Sequence, residues 1–251
     1  MATLKRKSWD RYAKRQAAQR DAASDEMFEY IMENDGELPR AAVVANGSKI
    51  AVKHGRSAAA LACVWYEQVA RISGAEVDKA VPVVVSNPGR IEAMVGKAAP
   101  MLAAGDVEGY AKACGTAVAN EVKRSASRTM LSNAKRDGAQ FAWVPQGSET
   151  CAFCIAVASN GWMYARKGTV DNHADHIHPN CECEFAIRFD STTNVAGYDP
   201  KQYEEAYSNA DGRNSKDKIN AMRREIYAEN KDAINAQHRE RYAALHQSED
   251  E

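Results

Sequence analysis

The chain has 251 residues, of which 45% are hydrophobic, 27% charged and 8% aromatic. That length is enough to bury a core without disulfides, and the composition is typical of a soluble, mainly helical protein rather than a disordered one. No apolar run approaches the roughly 20 residues that span a bilayer, and no apolar stretch follows the basic N-terminus, so we expect neither a membrane segment nor a secretory signal. The formal net charge of −1 argues against a protein that coats nucleic acid along its whole length.

Residues 1–36 are predicted to form a basic N-terminal arm that is helical. From Trp9 to Ile31 apolar residues recur at helical spacing, and an Asn-Asp-Gly sequence then ends the pattern. The first 20 residues hold seven basic side chains and a single acid. Such an arm favours phosphates or an acidic protein surface, although a solvated helix face has the same composition. We expect residues 1–20 to be removable without opening the core.

Residues 37–139 are predicted to form a helical body. The segment 56–72 has a strong amphipathic pattern that is typical of a helix packed on a core. Prolines then interrupt the chain, and Val81 to Val85 is predicted to be either a strand or an extended connector. Asp106 stands where it would cap a further long helix, which Gly138 would end.

After residue 139 the sequence changes from helical to extended and becomes rich in Cys and His. We predict a small α/β zinc-knuckle subdomain over 140–190, a polar linker over 191–215 and a charged helical tail over 216–251, which makes the fold class mainly α. The tail contains an internal repeat, since residues 216–230 align with 231–245 without a gap. Two copies are too few for a self-standing solenoid, so we expect one long helix, or a helix pair, that docks on another surface.

Four of the six cysteines lie in two short motifs with the spacing of zinc ligands. Two residues separate Cys151 from Cys154, so both thiolates could reach one tetrahedral ion, and a second group roughly 25 residues later could complete its coordination. In a reducing cytoplasm, cysteines this close are more often metal ligands than disulfide partners. The other two, Cys63 and Cys114, lie on apolar helix faces and are interpreted as small core residues.

The second group offers more ligands than one zinc ion needs. We predict Cys151, Cys154, Cys181 and Cys183 as the ligands, with His178 as the substitute for one of the last two. A closed four-ligand site has no open position for water or substrate. We therefore expect a structural Zn²⁺, no enzymatic activity and no small-molecule substrate.

A metal-dependent nuclease is the alternative that this region leaves open. The sequence Asp175-His176-Ile177-His178-Pro179, after an upstream Cys-x-x-Cys, resembles the core of HNH endonucleases, in which His176 would activate water against a metal-bound phosphate. The downstream Gly-Gly, the later Asn and His and the second Cys-x-x-Cys of those enzymes are missing. We predict instead that His173 and His176 lie on a loop surface. A zinc deaminase is set aside, because its His-x-Glu and Pro-Cys-x-x-Cys motifs do not occur.

Three short sequences within about residues 140–190 carry a family resemblance. They are Trp143-Val-Pro-x-Gly-x-x-Thr150-Cys151-x-Phe-Cys154, then Ala158-Ser-Asn-Gly161-Trp, and then His178-Pro-Asn-Cys181-Glu-Cys183. Together they resemble the phage minor head proteins related to the Mu F head-morphogenesis protein, which close with His-Pro-Asn-Cys-Arg-Cys. One departure is Glu182, which stands where those proteins usually have Arg.

The resemblance implies a low-copy virion component at the portal vertex or capsid interior, present in the host cytoplasm during assembly. It implies a role in head assembly or in DNA packaging and delivery, with the portal protein, the major capsid protein or both as partners. A DNA contact through the N-terminal arm or the C-terminal tail is a further expectation, although the tail's acids also suit a salt-bridged solvent helix. The tail repeat is similar to repeats of several phage proteins, nuclease-associated ones included, so an HNH-like metal-dependent DNA endonuclease stays the alternative function.

Overall fold

The structure is a computed structural model that describes residues 3–146, 150–165, 177, 183–191, 193–195 and 197–246. Within them the chain forms helices α1 Arg6–Met32, α2 Arg40–Ser73, α3 Pro88–Ala103, α4 Val107–Arg136, α5 Ala152–Ala158, α6 Pro200–Asn209 and α7 Ser215–His246. The strands are β1 Thr3–Leu4, β2 Gln140–Val144, β3 Met163–Tyr164, β4 Glu184–Arg188 and β5 Asn194–Val195. The prediction of a mainly α fold is confirmed. None of the helices in this described part combines the length and apolar character that crossing a membrane requires.

The chain divides into two compact units, each built from two separate stretches of sequence. The first consists of Met1–Gln146 and Trp162–Tyr198, and the second of Gly147–Gly161 and Asp199–Glu251. The first unit therefore contains α1 to α4 and all five described strands, whereas the second contains α5, α6 and α7.

The core of the first unit lies where α1, α2, α3 and α4 pack together. Its helix boundaries follow local signals: the side chain of Asp106 accepts a hydrogen bond of 2.8 Å from the Gly109 N–H at the start of α4, and Gly138 takes a left-handed φ of 66° just after its end. Close approach of α1 and α4 depends on Gly115, because a Cβ there would lie 2.8 Å from the backbone oxygen of Ser24.

The first half of α1 belongs to this core and is not a detachable arm. Trp9 has no exposed surface, and Tyr12 and Gln16 are also buried. The Gln16 amide donates a hydrogen bond of 3.0 Å to the backbone oxygen of Ala58 in α2. The expectation that residues 1–20 can be removed without opening the core is therefore wrong, because the basic side chains cover only the outer face of a helix whose inner face is buried.

The segment between α2 and α3 is the extended connector that the sequence allowed, and its backbone pairs with helix side chains. On α4 a polar ladder formed by Glu121, Ser125, Thr129 and Asn133 is buried. These side chains accept hydrogen bonds of 2.9 to 3.0 Å from the backbone N–H groups of Asn87, Val85, Val83 and Val81, in that order. The spacing of the side chains along α4 matches the spacing of the N–H groups along the connector. Four helical residues rise roughly 6 Å and two extended residues roughly 6.8 Å, so every fourth residue of α4 meets every second residue of the connector.

A three-stranded antiparallel sheet, in the order β3-β2-β4, adds an aromatic layer to the first unit. Trp143 on β2 lies opposite Phe185 on β4, and their rings meet edge to face with centroids 4.5 Å apart. Phe141 and Ile187, the next inward pair along the same two strands, have no exposed surface. Strands β2 and β4 are therefore core elements, while β1 pairs in parallel with β5 elsewhere in the unit.

The second unit has a much smaller apolar cluster. Its buried members are Ala152 of α5, Ala210 directly after α6, and Met222 of α7. Partly buried side chains pack against them: Ile155, Ala156, Tyr207, Ile219 and Ile226. Helix α7 runs without a break over both copies of the sequence repeat.

Candidate metal centre

The first cysteine pair lies at the start of α5. Cys151 is the N-cap residue of that helix, with an extended φ of −69° and ψ of 155°, and its Sγ accepts a hydrogen bond of 3.4 Å from the Cys154 N–H. An N–H directed at a sulfur stabilises negative charge on it, which is the form in which cysteine binds metal. The two-residue spacing thus places both cysteines on one tight turn, as predicted.

The two cysteines of this pair differ in exposure. Cys151 is exposed, whereas Cys154 is only 2% exposed. Between them Ala152 belongs to the apolar cluster of the second unit, so the turn is anchored on α6 and α7 through that residue. The pair therefore has one sulfur at the surface and one against the protein.

Cys183 belongs to the first unit and is fixed by the strand that follows it. It is 4% exposed and directly precedes β4. The next residue, Glu184, forms an ion pair of 2.7 Å with Arg20 of α1, and the side chains are only 3% and 14% exposed. A buried pair of this kind holds the backbone beside Cys183, because breaking it leaves a charge in a poorly solvated place.

A second guanidinium group contacts the backbone at Ile177, within the Cys- and His-rich stretch of sequence. Arg124 of α4 donates a hydrogen bond of 3.2 Å to the Ile177 backbone oxygen, and Ile177 itself is 5% exposed. Arg124 also pairs with the fully buried Glu121 at 2.5 Å. Glu121 is the first residue of the polar ladder, so the contact at Ile177 continues the hydrogen-bond network that fixes the connector.

Three of the five predicted ligands are described, and they come from different units. Cys151 and Cys154 lie in the second unit and Cys183 in the first. His178 and Cys181 lie outside the described residues, as do His173 and His176. Among the residues that are described, no three His, Cys, Asp or Glu side chains are arranged to hold a metal ion.

The two cysteines that the sequence assigns to the core differ in burial. Cys114 is fully buried, and burial raises the pKa of its thiol to about 11. Cys63 is half-buried, and burial, followed by the charge of Glu67, raises its pKa as well. A raised pKa disfavours the thiolate, which is the form in which cysteine binds metal.

Sequence reasoning missed two arginines, Arg20 and Arg124, which contact residues next to the candidate ligands Cys183 and His178. Arg20 was counted among the cations of a basic arm, and Arg124 was not singled out. Both are largely buried, with side chains 14% and 9% exposed. A signal was present for Arg124, because it stands three residues after Glu121 on a helix and such a pair can be buried together.

The described donors suit zinc chemically. Cys151 and Cys154 supply two soft sulfur ligands from one turn, with a backbone N–H already directed at one sulfur. Cys183 offers a third soft sulfur, on a backbone fixed by the Arg20–Glu184 ion pair. If zinc is bound at Cys151 and Cys154, it would stabilise the turn at the start of α5, in a unit whose apolar cluster is small.

The chain matches the model of a known protein family. The model of the family described as VG15 protein matches residues 3–210. The chain therefore belongs to the VG15 protein family, a family of viral proteins, which supports a phage origin. Comparison with curated proteins and with solved structures gave no match.

Proposed function

We propose that this protein is a structural minor capsid protein of a tailed phage. It acts in head assembly or in DNA packaging and delivery, at the portal vertex or the inner capsid. The observation that carries the proposal is the match of a viral family model to residues 3–210, which includes the helical body as well as the Cys- and His-rich region. The sequence resemblance to minor head proteins over about residues 140–190 gives the proposal its specific role.

The proposed zinc has a structural role. Its ligands are Cys151, Cys154, Cys181 and Cys183, with His178 in place of one of the last two. The apolar cluster of the second unit has three buried members, two of them alanines. Such a cluster contributes little folding free energy, so a metal that binds only the folded form would add a large share.

The protein is proposed to work as a component of an assembly, without catalysis. Four protein ligands complete the tetrahedral coordination of zinc and leave no position for a water molecule to be activated. The alternative, an HNH-like metal-dependent endonuclease, requires His176 as its general base.

The proposal is tested with phage particles. We expect the protein to be present in purified mature particles and to co-purify with the portal or major capsid protein of the same phage. The measurement is mass spectrometry of particles, together with a pull-down by tagged full-length protein of separately expressed portal and capsid proteins. Absence from particles, combined with binding to neither protein at about micromolar concentration, would remove the structural assignment.

A further inference from the structure

A groove between α1 and α2 has the features of a binding site that the proposed function does not use. It encloses a cavity of about 80 Å³, which is large enough for a carboxylate group or for several waters. Arg11 and Arg15 line it from α1, and Leu61 and Val64 line it from α2. All of these residues belong to the first unit. We call this site the basic groove.

The α1 wall of the basic groove carries positive charge that no described residue neutralises. Lys7, Arg11, Lys14 and Arg15 are all exposed and follow one another at helical spacing, so they share one face of α1. Within the described part of the chain none of the four has an ion-pair partner, in contrast to Arg6, which pairs with Asp10. This face therefore attracts negative charge.

The opposite wall is mostly apolar, with Leu61 and Val64 beside the single polar side chain of Gln68. Val64 is 61% exposed although it lies on a helix that packs against the core, and Leu61 beside it is partly buried. An aromatic pair lies between the walls, with Tyr12 and Trp65 stacked at a centroid distance of 5.0 Å. Both rings are buried, so they form the floor of the groove.

We infer that the basic groove docks an acidic, amphipathic segment of a partner protein. A carboxylate of that segment would enter between Arg11 and Arg15, and its apolar side chains would cover Val64 and Leu61. Charge complementarity favours an acidic occupant, and the apolar wall favours a peptide over a nucleic acid. The arginines would also attract the phosphates of a nucleic acid, but phosphates gain nothing from contact with the exposed Val64.

The test measures binding of a labelled synthetic peptide, built of Glu and Leu at helical spacing, to the full-length protein by fluorescence anisotropy at low salt. We expect saturable binding that Arg11→Gln with Arg15→Gln weakens roughly tenfold or more. Val64→Ser should weaken it a few-fold, roughly as expected for the loss of one small apolar contact. The matched control, Lys49→Gln with Lys97→Gln, removes the same charge from exposed positions elsewhere in the first unit and should leave binding unchanged.

Three results would overturn the inference. The first is no binding by the wild-type chain at up to about 100 µM peptide. The second is an equal loss in the control pair, since general charge attraction would then explain the binding. The third is displacement of the peptide by a duplex DNA whose own affinity depends on Arg11 and Arg15 but not on Val64, since the occupant would then be nucleic acid. Each of these leaves the zinc site and the virion assignment untouched, because neither uses the groove.

Discussion

The two units of this protein differ in what stabilises them. The first buries large side chains completely, among them Trp9, Tyr66, Phe141 and Trp143. In the described part of the second, the buried cluster consists of two alanines and one methionine. Packing stabilises the first unit, and each core mutation there removes part of the free energy of unfolding. A unit with a buried cluster as small as that of the second needs a further source of stability. Cys151 and Cys154, two of the proposed zinc ligands, lie in the unit with the smaller buried cluster.

Removing the proposed zinc should have the largest effect. We expect about one zinc ion per chain, which Cys154→Ser removes, because a tetrahedral thiolate site that loses one of four ligands binds far more weakly. The loss is large because structural zinc contributes about 10–16 kcal/mol of apparent binding free energy in small zinc domains. Cys63→Ser, which changes a half-buried cysteine outside the motif, should keep its zinc.

The structure also limits where loss of zinc is felt. Phe185 and Ile187 on β4 lie in the core of the first unit, so hydrogen exchange should stay slow there after zinc removal. Exchange should rise around Cys151 to Ala158 instead. A folded, reduced sample without zinc, or one with unchanged exchange in α5 after chelation, would contradict a structural metal.

A core mutation in the first unit should have the next largest effect. Trp9→Ala removes a side chain with no exposed surface and should lower the free energy of unfolding by about 3–5 kcal/mol. Val64→Ala, at a side chain that is 61% exposed, serves as the control and should change it by less than about 0.5 kcal/mol. Thermal or urea unfolding followed by circular dichroism measures both. Near-wild-type stability of Trp9→Ala would restore the N-terminal residues as a separable arm.

Parts of this fold were predictable because their signals are local. The helical spacing from Trp9 to Ile31, the cap at Asp106 and the stop at Gly138 each depend on residues within a turn or two of one another. The early start of α2 at Arg40 was missed, since its first residues are mostly small and give a weak apolar period. Small residues pack helices closely without an obvious stripe.

The polar ladder on α4 could not be predicted by the same reasoning. Ser125, Thr129 and Asn133 stand four residues apart, which in one sequence looks like a solvent-facing stripe. Their partners are backbone groups some 40 to 52 residues earlier in the chain. Likewise, neither Arg20 near Glu184 nor Arg124 near Ile177 follows from local spacing, because these contacts exist only after the helices have packed. For the metal site, spacing predicted the turn of Cys151 and Cys154, but the choice among the remaining ligands stays a prediction.

The ladder allows a smaller and more selective test of the first unit. Thr129→Val keeps the shape of the side chain but removes the oxygen that accepts a hydrogen bond of 2.9 Å from the Val83 N–H. The same hydroxyl donates its one proton either to the Ser125 carbonyl at 2.8 Å or to the Val83 carbonyl at 3.2 Å. Leaving the Val83 N–H unpaired should cost about 1–3 kcal/mol of unfolding free energy. Thr116→Val makes the same chemical change where the hydroxyl only donates to Lys112 of its own helix, and it should cost less. Equal losses in the two variants would mean that the ladder does not stabilise the connector.

The smallest expected effect is that of His176→Ala, and it separates the structural proposal from the nuclease alternative. In an HNH-like site His176 would be the general base, whose loss typically lowers the rate by about 10²–10⁴-fold. In a closed zinc site it has no chemical role. We expect no cleavage of plasmid or linear DNA with Mg²⁺, Mn²⁺ or Zn²⁺, and identical behaviour of wild type, His176→Ala and the control His246→Ala, which alters a histidine at the end of α7. Cleavage that His176→Ala abolishes and His246→Ala preserves would reverse the assignment, because the metal would then have an open coordination position and the protein would be an enzyme.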